Sequence, residues 1–179
     1  MNNIALQDIR SVPVEATAEG AREALIDILQ NAFSGELAAA YAYRGHWKSL
    51  RDQSEREKVR SIEHDEWVHR NNVRQILTQM DAAPRRVREV RAWIIGRSLG
   101  IGCHVIGWFM PMYFAGRLES RNIVEYEVAA QHASTLGLAE YLDELRVMAD
   151  VERDHEAFFR EKVANHRLLP MFRSIFKWG

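Results

Sequence analysis

The sequence EWVH at residues 66–69 and the sequence ERDH at residues 152–155 share the spacing Glu-x-x-His, and this repeated motif decides the fold that we expect. A single glutamate precedes each motif by about thirty residues, Glu36 in the first case and Glu119 in the second. Helical bundles hold two metal ions with a glutamate from each of two helices and a Glu-x-x-His from each of the other two. The order of these residues therefore predicts an all-α four-helix bundle with a di-metal site in its core.

Helical signals run through most of the chain. Ser54 followed three residues later by Glu57 is a capping box and predicts the start of the second helix, which Pro84 stops. Gly137 separates the third helix from the fourth. Apolar residues at helical spacing and these breaks give four predicted helices, over residues 21–50, 54 to about 84, 112–136 and 138–165.

An apolar connector over residues 92–111 joins the two predicted hairpins, and it overlaps a longer apolar segment over residues 93–115. Three interpretations of this segment stay open: a buried connector helix, a helix lying against a membrane surface, and a true span. The segment 168–179 is basic and aromatic, and we expect a short C-terminal helix there. We expect one domain over residues 1–179, with residues 1–18 flexible.

The hairpin geometry tests the metal site. In an antiparallel hairpin, two residues lie at one level when they are equidistant from the turn. The midpoint of Glu36 and Glu66 is residue 51, and the midpoint of Glu119 and Glu152 lies just before Gly137. Both midpoints coincide with predicted turns, so each hairpin places its two carboxylates level, roughly 22 Å from the loop.

Histidine and glutamate three residues apart lie on one helix face, so both can bind the same ion. Oxygen and imidazole ligands suit iron, manganese or zinc. Glu125 and Glu127 are alternatives to Glu119, but their midpoints with Glu152 fall beyond Gly137. The alternative for all these residues is a set of solvated salt bridges with arginines. The predicted metal ligands are Glu36, Glu66, His69, Glu119, Glu152 and His155.

Two tyrosines repeat the same pattern. Tyr43 lies seven residues after Glu36, and Tyr126 lies seven residues after Glu119. Because seven residues are two helical turns, each tyrosine shares a face with its glutamate. A phenol at this place can donate a hydrogen bond to a ligating carboxylate of the other hairpin. Ordinary core tyrosines are the alternative interpretation.

Other polar residues near the motifs are weaker candidates for a role at the metal site. Glu63, Asp65 and Asp150 are candidates to orient the ligating histidines, although helix-surface charges need no such role. The remaining histidines lack a carboxylate partner at metal-binding spacing.

The composition narrows the class of protein. The chain has 179 residues, a formal net charge of −1 and 47% hydrophobic residues, so nothing suggests nucleic-acid binding. The lone Cys103 excludes an internal disulfide and a cysteine-rich iron or zinc module. Residues 1–20 carry no targeting signal. We expect a cytoplasmic protein that contacts the inner face of the cell membrane peripherally. Whether it forms a homodimer stays open.

From residue 32 to residue 177, the chain resembles the demethoxyubiquinone hydroxylases of ubiquinone biosynthesis, members of the ferritin-like di-iron carboxylate superfamily. The resemblance rests on Ser34-Gly35-Glu36 with Tyr43, on both Glu-x-x-His motifs, on Tyr126, and on the glycine pattern of residues 99–107, LGIGCHVIG. It implies a ferritin-like bundle whose six ligands hold two iron ions, with manganese as an alternative. It also implies that the connector and the C-terminal segment meet a membrane.

The activity that this resemblance implies is hydroxylation of a lipophilic quinol-like ring by dioxygen with two external electrons. Three departures from the family's pattern indicate a diverged member: the sequence AFSGE at residues 32–36, Glu125 in place of a histidine, and Arg117 in place of an apolar residue. Two other functions stay open. One is an iron oxidase, peroxide scavenger or iron store of the ferritin or rubrerythrin type, and the other is a non-enzymatic bundle that binds lipid or a partner.

Overall fold

The computed structural model describes residues 18–179, and all of the elements in this part of the chain are α-helices. The prediction of an all-α fold is therefore confirmed. The six helices are α1 (Ala18–Ser49), α2 (Gln53–Gln79), α3 (Arg86–Gly102), α4 (Phe109–Thr135), α5 (Ala139–Val163) and α6 (Leu169–Phe176). Of the segment predicted to be flexible, residues 1–17 lie outside the described residues, whereas Ala18 begins α1.

The described residues form two compact units. The α2 unit is Ile26–Pro111 and holds most of α1 with α2 and α3. The α5 unit is Met112–Gly179 together with residues 18–25, and it holds most of α4 with α5 and α6. Each unit thus contains one of the two predicted hairpins with its own short turn. The single domain over residues 1–179 stays a prediction.

The turn of the first hairpin lies where the spacing placed it, but its cap differs from the prediction. The backbone of Asp52 is extended, and its carboxylate accepts a hydrogen bond of 2.9 Å from the backbone N–H of Glu55. A carboxylate at this position satisfies a free N–H of the first turn and interacts favourably with the helix dipole. The cap predicted at Ser54 is therefore wrong, because Ser54 lies inside the helix that Asp52 begins.

The connector helix begins and ends earlier in the chain than predicted. Helix α3 begins at Arg86 and ends at Gly102, whereas the prediction placed the connector over residues 92–111. Pro111 does not end a helix but lies in the first turn of α4, which begins at Phe109. A proline is tolerated there because the first N–H groups of a helix have no partner within the helix.

Glycines allow α3 to pack closely on α1. A Cβ atom added at Gly96 would lie 2.4 Å from the carbonyl oxygen of Ala38, and one added at Gly45 would lie 2.2 Å from the carbonyl oxygen of Gly100. Backbones can approach so closely only where a side chain is missing. This crossing point sets the position of α3 in the α2 unit.

Most of the apolar side chains of α3 are exposed. Its buried residues are only Ala92, Gly96 and Gly100, so the interpretation as a buried connector helix is wrong. No helix in residues 18–179 is both long enough and apolar enough to cross a membrane. The exposed apolar side chains of α3 and of the loop that follows it, which we call the α3 apolar surface, are 36 to 80% exposed and comprise Val87, Val90, Trp93, Ile94, Ile95, Leu99, Ile101, Val105, Ile106 and Trp108.

In the α5 unit, Gly137 ends α4 with a φ of 70°, as the sequence predicted. The C-terminal segment packs on the start of α4, where the hydroxyl of Tyr113 donates a hydrogen bond of 2.7 Å to the carbonyl oxygen of Trp178. Arg117 donates from Nε to the carbonyl oxygen of Phe176 at 3.1 Å, at the end of α6. Arg117 therefore holds the C-terminal segment against α4.

Candidate metal centre

The first hairpin brings three predicted ligands together. Glu36 lies on α1, and Glu66 and His69 lie on α2, one turn apart on the same face. Each residue offers one ligand atom, and these atoms lie within 4.8 Å of one another. All three side chains are buried. We call this group the first triad, and it belongs entirely to the α2 unit.

The second hairpin repeats the arrangement. Glu119 lies on α4, and Glu152 and His155 lie on α5. Their ligand atoms also lie within 4.8 Å of one another, and the three side chains are at most 1% exposed. Nδ1 of His155 is 3.5 Å from a carboxylate oxygen of Glu152, as the spacing of three residues allows. This second triad belongs entirely to the α5 unit.

The turns explain why each triad forms. Residues 50–52 connect α1 to α2, and residues 136–138 connect α4 to α5. Glu36 and Glu66 lie fifteen residues on either side of residue 51, so an antiparallel hairpin places them level. Glu119 lies 17 residues before Leu136 and Glu152 lies 14 residues after Leu138, so the second hairpin also places its two carboxylates at similar levels. Two short loops thus determine which distant residues meet.

The chemistry of each triad fits a divalent cation. A buried carboxylate is costly unless a positive or hydrogen-bonding partner compensates its charge. Two carboxylates carry two negative charges, which balance one divalent ion, and a neutral imidazole adds a third ligand. Mixed oxygen and imidazole ligands are typical of iron, manganese and zinc sites. The residues present therefore fit a transition-metal ion better than they fit a solvated salt bridge.

Asn122 was not predicted, although it contacts a triad residue. Its side-chain amide donates a hydrogen bond of 3.1 Å to Oε2 of Glu119. A neighbour of this kind restricts the rotation of a carboxylate and orients it. The spacing of three residues on α4 was the sequence signal that could have identified it.

Tyr43 and Tyr126 are 2% and 1% exposed. The ring of Tyr43 stacks on that of His46 with centroids 6.4 Å apart. Both phenols are thus held in the interior, as the shared helix face requires. Their hydrogen bonds to ligating carboxylates stay a prediction.

The alternative acidic residues have other positions. Glu63 accepts hydrogen bonds from Arg44 Nε at 2.7 Å and from Trp47 Nε1 at 2.6 Å. Asp150 and Glu127 both bind the guanidinium of Arg153 on the surface. Neither Glu125 nor Glu127 is in a metal-binding group within residues 18–179. Glu119 is thus the α4 glutamate that lies with Glu152 and His155.

His46 gives a pH-dependent prediction. Burial lowers its pKa from 6.5 to about 4, because desolvation disfavours the charged imidazolium. The unfolded chain binds a proton below about pH 6.5 and the folded chain does not, so stability is full above this pH and falls as the pH drops towards 4. We expect this histidine to lower the free energy of unfolding by about 2 kcal/mol between pH 7 and pH 5.

Urea unfolding of the metal-free protein at both pH values measures this effect. The variant His46→Gln removes the titrating group, so its stability should decrease less than that of the wild type over the same range. An equal decrease in the two proteins would show that other groups cause the acid sensitivity.

No protein-family model, no curated protein and no solved structure gives a significant match to this chain. The interpretation of the site therefore depends on its own residues. The decisive feature is that two buried groups of identical type, each with two glutamates and one histidine, occur in two hairpins of the same chain.

Proposed function

We propose that the two hairpins pack into one ferritin-like four-helix bundle, that the two triads together form a di-iron centre, and that the protein is a monooxygenase acting on a lipophilic quinol-like ring. One observation carries this proposal: two matched triads of Glu and Glu-x-x-His are buried in the chain. Structural salt bridges have no reason to repeat this composition and order in both hairpins. A dinuclear carboxylate site requires both.

Charge balance supports the binding of two divalent ions. The two triads together supply four carboxylates and two imidazoles, so four negative charges balance two ferrous ions. Each carboxylate has two oxygens and can bind two ions at once. Three protein ligands for each ion also leave positions open for small molecules. Manganese fits the same ligands and is the alternative metal.

The bound iron would supply the activation of dioxygen. In the overall reaction, one oxygen atom enters a C–H bond of the ring to form a C–OH group. The other oxygen atom leaves as water, and two electrons and two protons come from an external donor. The reaction is thus that of the hydroxylases which the sequence resembles.

The side chains of the chain have separate tasks in this scheme. The triads are buried, which keeps bulk water away and strengthens electrostatic interactions within the site. Asn122 holds one oxygen of Glu119, so that this carboxylate keeps a defined orientation. Tyr43 and Tyr126 would donate hydrogen bonds to the ligating carboxylates.

The α3 apolar surface supports a lipophilic substrate. Single exposed apolar residues are ordinary, but ten of them lie within residues 87–108, and a large exposed apolar surface indicates contact with a lipid or an apolar ligand. Arg97 lies among these side chains, as in a helix at a membrane surface. We propose peripheral membrane contact through this surface, where a lipophilic ring is available. An iron-storage cage does not need an exposed apolar surface of this kind.

Anaerobic titration with ferrous iron tests the proposal. We expect two iron ions per chain because each triad supplies three ligands. Admission of dioxygen should then produce the near-ultraviolet absorption of ferric iron. Isotopically labelled dioxygen and a short-chain quinol should yield a product with one labelled oxygen atom.

Other outcomes would contradict this scheme. A chain that binds no iron or manganese would be a non-enzymatic bundle. A chain that oxidises many iron ions, forms a large shell and leaves the quinol unchanged would be an iron store.

A further inference from the structure

A small cavity of about 230 Å³ lies where α1 and α3 cross, entirely within the α2 unit. We call it the basic groove. It is lined by Tyr41, Arg44, Gly45, Lys48, Arg97, Gly100, Ile101 and His104.

The residues that line the basic groove carry positive charges and no negative charge. Three cationic side chains and a histidine line it, and none of its lining residues is acidic. Arg44 is neutralised by Glu63 at 2.7 Å. Within residues 18–179, neither Lys48 nor Arg97 forms an ion pair. The whole chain has a net charge of −1, so this concentration of positive charge is local.

Aromatic rings hold these cations in place. The guanidinium carbon of Arg97 is 5.9 Å from the ring centroid of Tyr41 and 5.1 Å from that of Trp93. Nζ of Lys48 is 5.2 Å from the ring of Trp47. Cation–π contacts restrict a side chain without neutralising its charge. A ligand that binds here therefore meets cations that are already partly ordered, which reduces the entropic cost of binding.

The helix crossing brings the cations together. Because Gly45 and Gly100 lack side chains, the backbones of α1 and α3 can touch. Arg44 and Lys48 are one turn apart on α1, and Arg97 approaches from α3. Ile101 also lines the groove and belongs to the α3 apolar surface, so the groove adjoins that surface. The groove thus combines positive charge from two helices with an adjoining apolar surface.

We propose that the basic groove binds the phosphate group of a phosphate ester, with the apolar part of the ligand on the adjoining α3 surface. Guanidinium and ammonium groups form strong charge-assisted hydrogen bonds to phosphate oxygens. The phosphate belongs either to the headgroup of an anionic lipid or to a soluble phosphate ester. This proposal does not depend on the metal site.

The test compares two arginines of the same helix. Arg97 lines the groove, whereas Arg91 is exposed on α3 and does not line it. We expect Arg97→Gln to weaken binding of glycerol phosphate, measured by calorimetry on the full-length protein, by at least about tenfold. Arg91→Gln, which removes the same charge, should change the affinity less than about twofold. Lys48→Gln should reproduce the loss from the other helix.

Vesicles distinguish the two sources of phosphate. Cosedimentation with phosphatidylglycerol vesicles but not with phosphatidylcholine vesicles, lost in Arg97→Gln, would identify a lipid headgroup. Binding of glycerol phosphate without binding of vesicles would identify a soluble ester. The proposal is overturned if the wild type binds neither probe, or if both arginine variants lose affinity equally. Circular dichroism of each variant confirms that the helices are intact.

Discussion

Glu119→Ala is expected to reduce the bound iron from two ions per chain to one or none. The second triad would keep only one carboxylate and one imidazole, which are too few ligands and too little negative charge to hold a divalent ion. The helices should persist, because alanine is the best helix former. Removing a buried carboxylate can even stabilise the metal-free protein. Elemental analysis after anaerobic loading measures the loss, and circular dichroism measures the helical content.

Glu125→Ala is the matched control, because it removes the same charge from the same helix. Glu125 lies outside both triads and is partly exposed, so this variant should keep both ions. If Glu125→Ala loses iron and Glu119→Ala does not, the position of the ligand on α4 is wrong. If neither variant changes the iron content of a chain that binds iron, the second triad is not a metal site.

Gly45→Ala is expected to lower the free energy of unfolding by about 3 kcal/mol. The new Cβ atom would lie 2.2 Å from the carbonyl oxygen of Gly100, and its neighbours are backbone atoms that cannot rotate away. Helices α1 and α3 would have to separate at their crossing point. Urea unfolding monitored by circular dichroism measures the change.

Gly35→Ala provides the opposite expectation on the same helix. A Cβ atom at Gly35 has no neighbour within 4 Å, so the substitution meets open space. An exposed helical glycine replaced by alanine should raise the free energy of unfolding by about 0.5 to 1 kcal/mol. If both variants stabilise the protein, α1 and α3 are not in close contact at Gly45.

Much of the candidate site follows from spacing along the chain. Glu36 and Glu66 lie at equal distances along the chain from the turn at residue 51, and Glu119 and Glu152 lie at similar distances from the turn at residues 136–138. Helix periodicity then determines that each histidine shares a face with the glutamate three residues before it. These relations are local or depend on one short loop, so the order of the residues is enough to predict them.

The ends of the helices were harder to predict because several residues compete for each position. Asp52 and Ser54 are both good N-caps, and the structure uses the carboxylate of Asp52. Pro111 can end a helix or begin one, and here it lies in the first turn of α4. Local preference alone does not distinguish these cases, because packing of the adjoining helix decides which residue is first.

The sequence by itself determined the all-α class, the two hairpins and the residues that meet in each triad, because these depend on helical period and loop length. Only the tertiary structure showed that α3 exposes its apolar side chains, that Arg117 holds the C-terminal segment, and that Arg97 and Lys48 meet in one groove. These features join residues that are far apart along the chain. They depend on how closely helices pack at glycines, and no periodicity in the sequence encodes that distance.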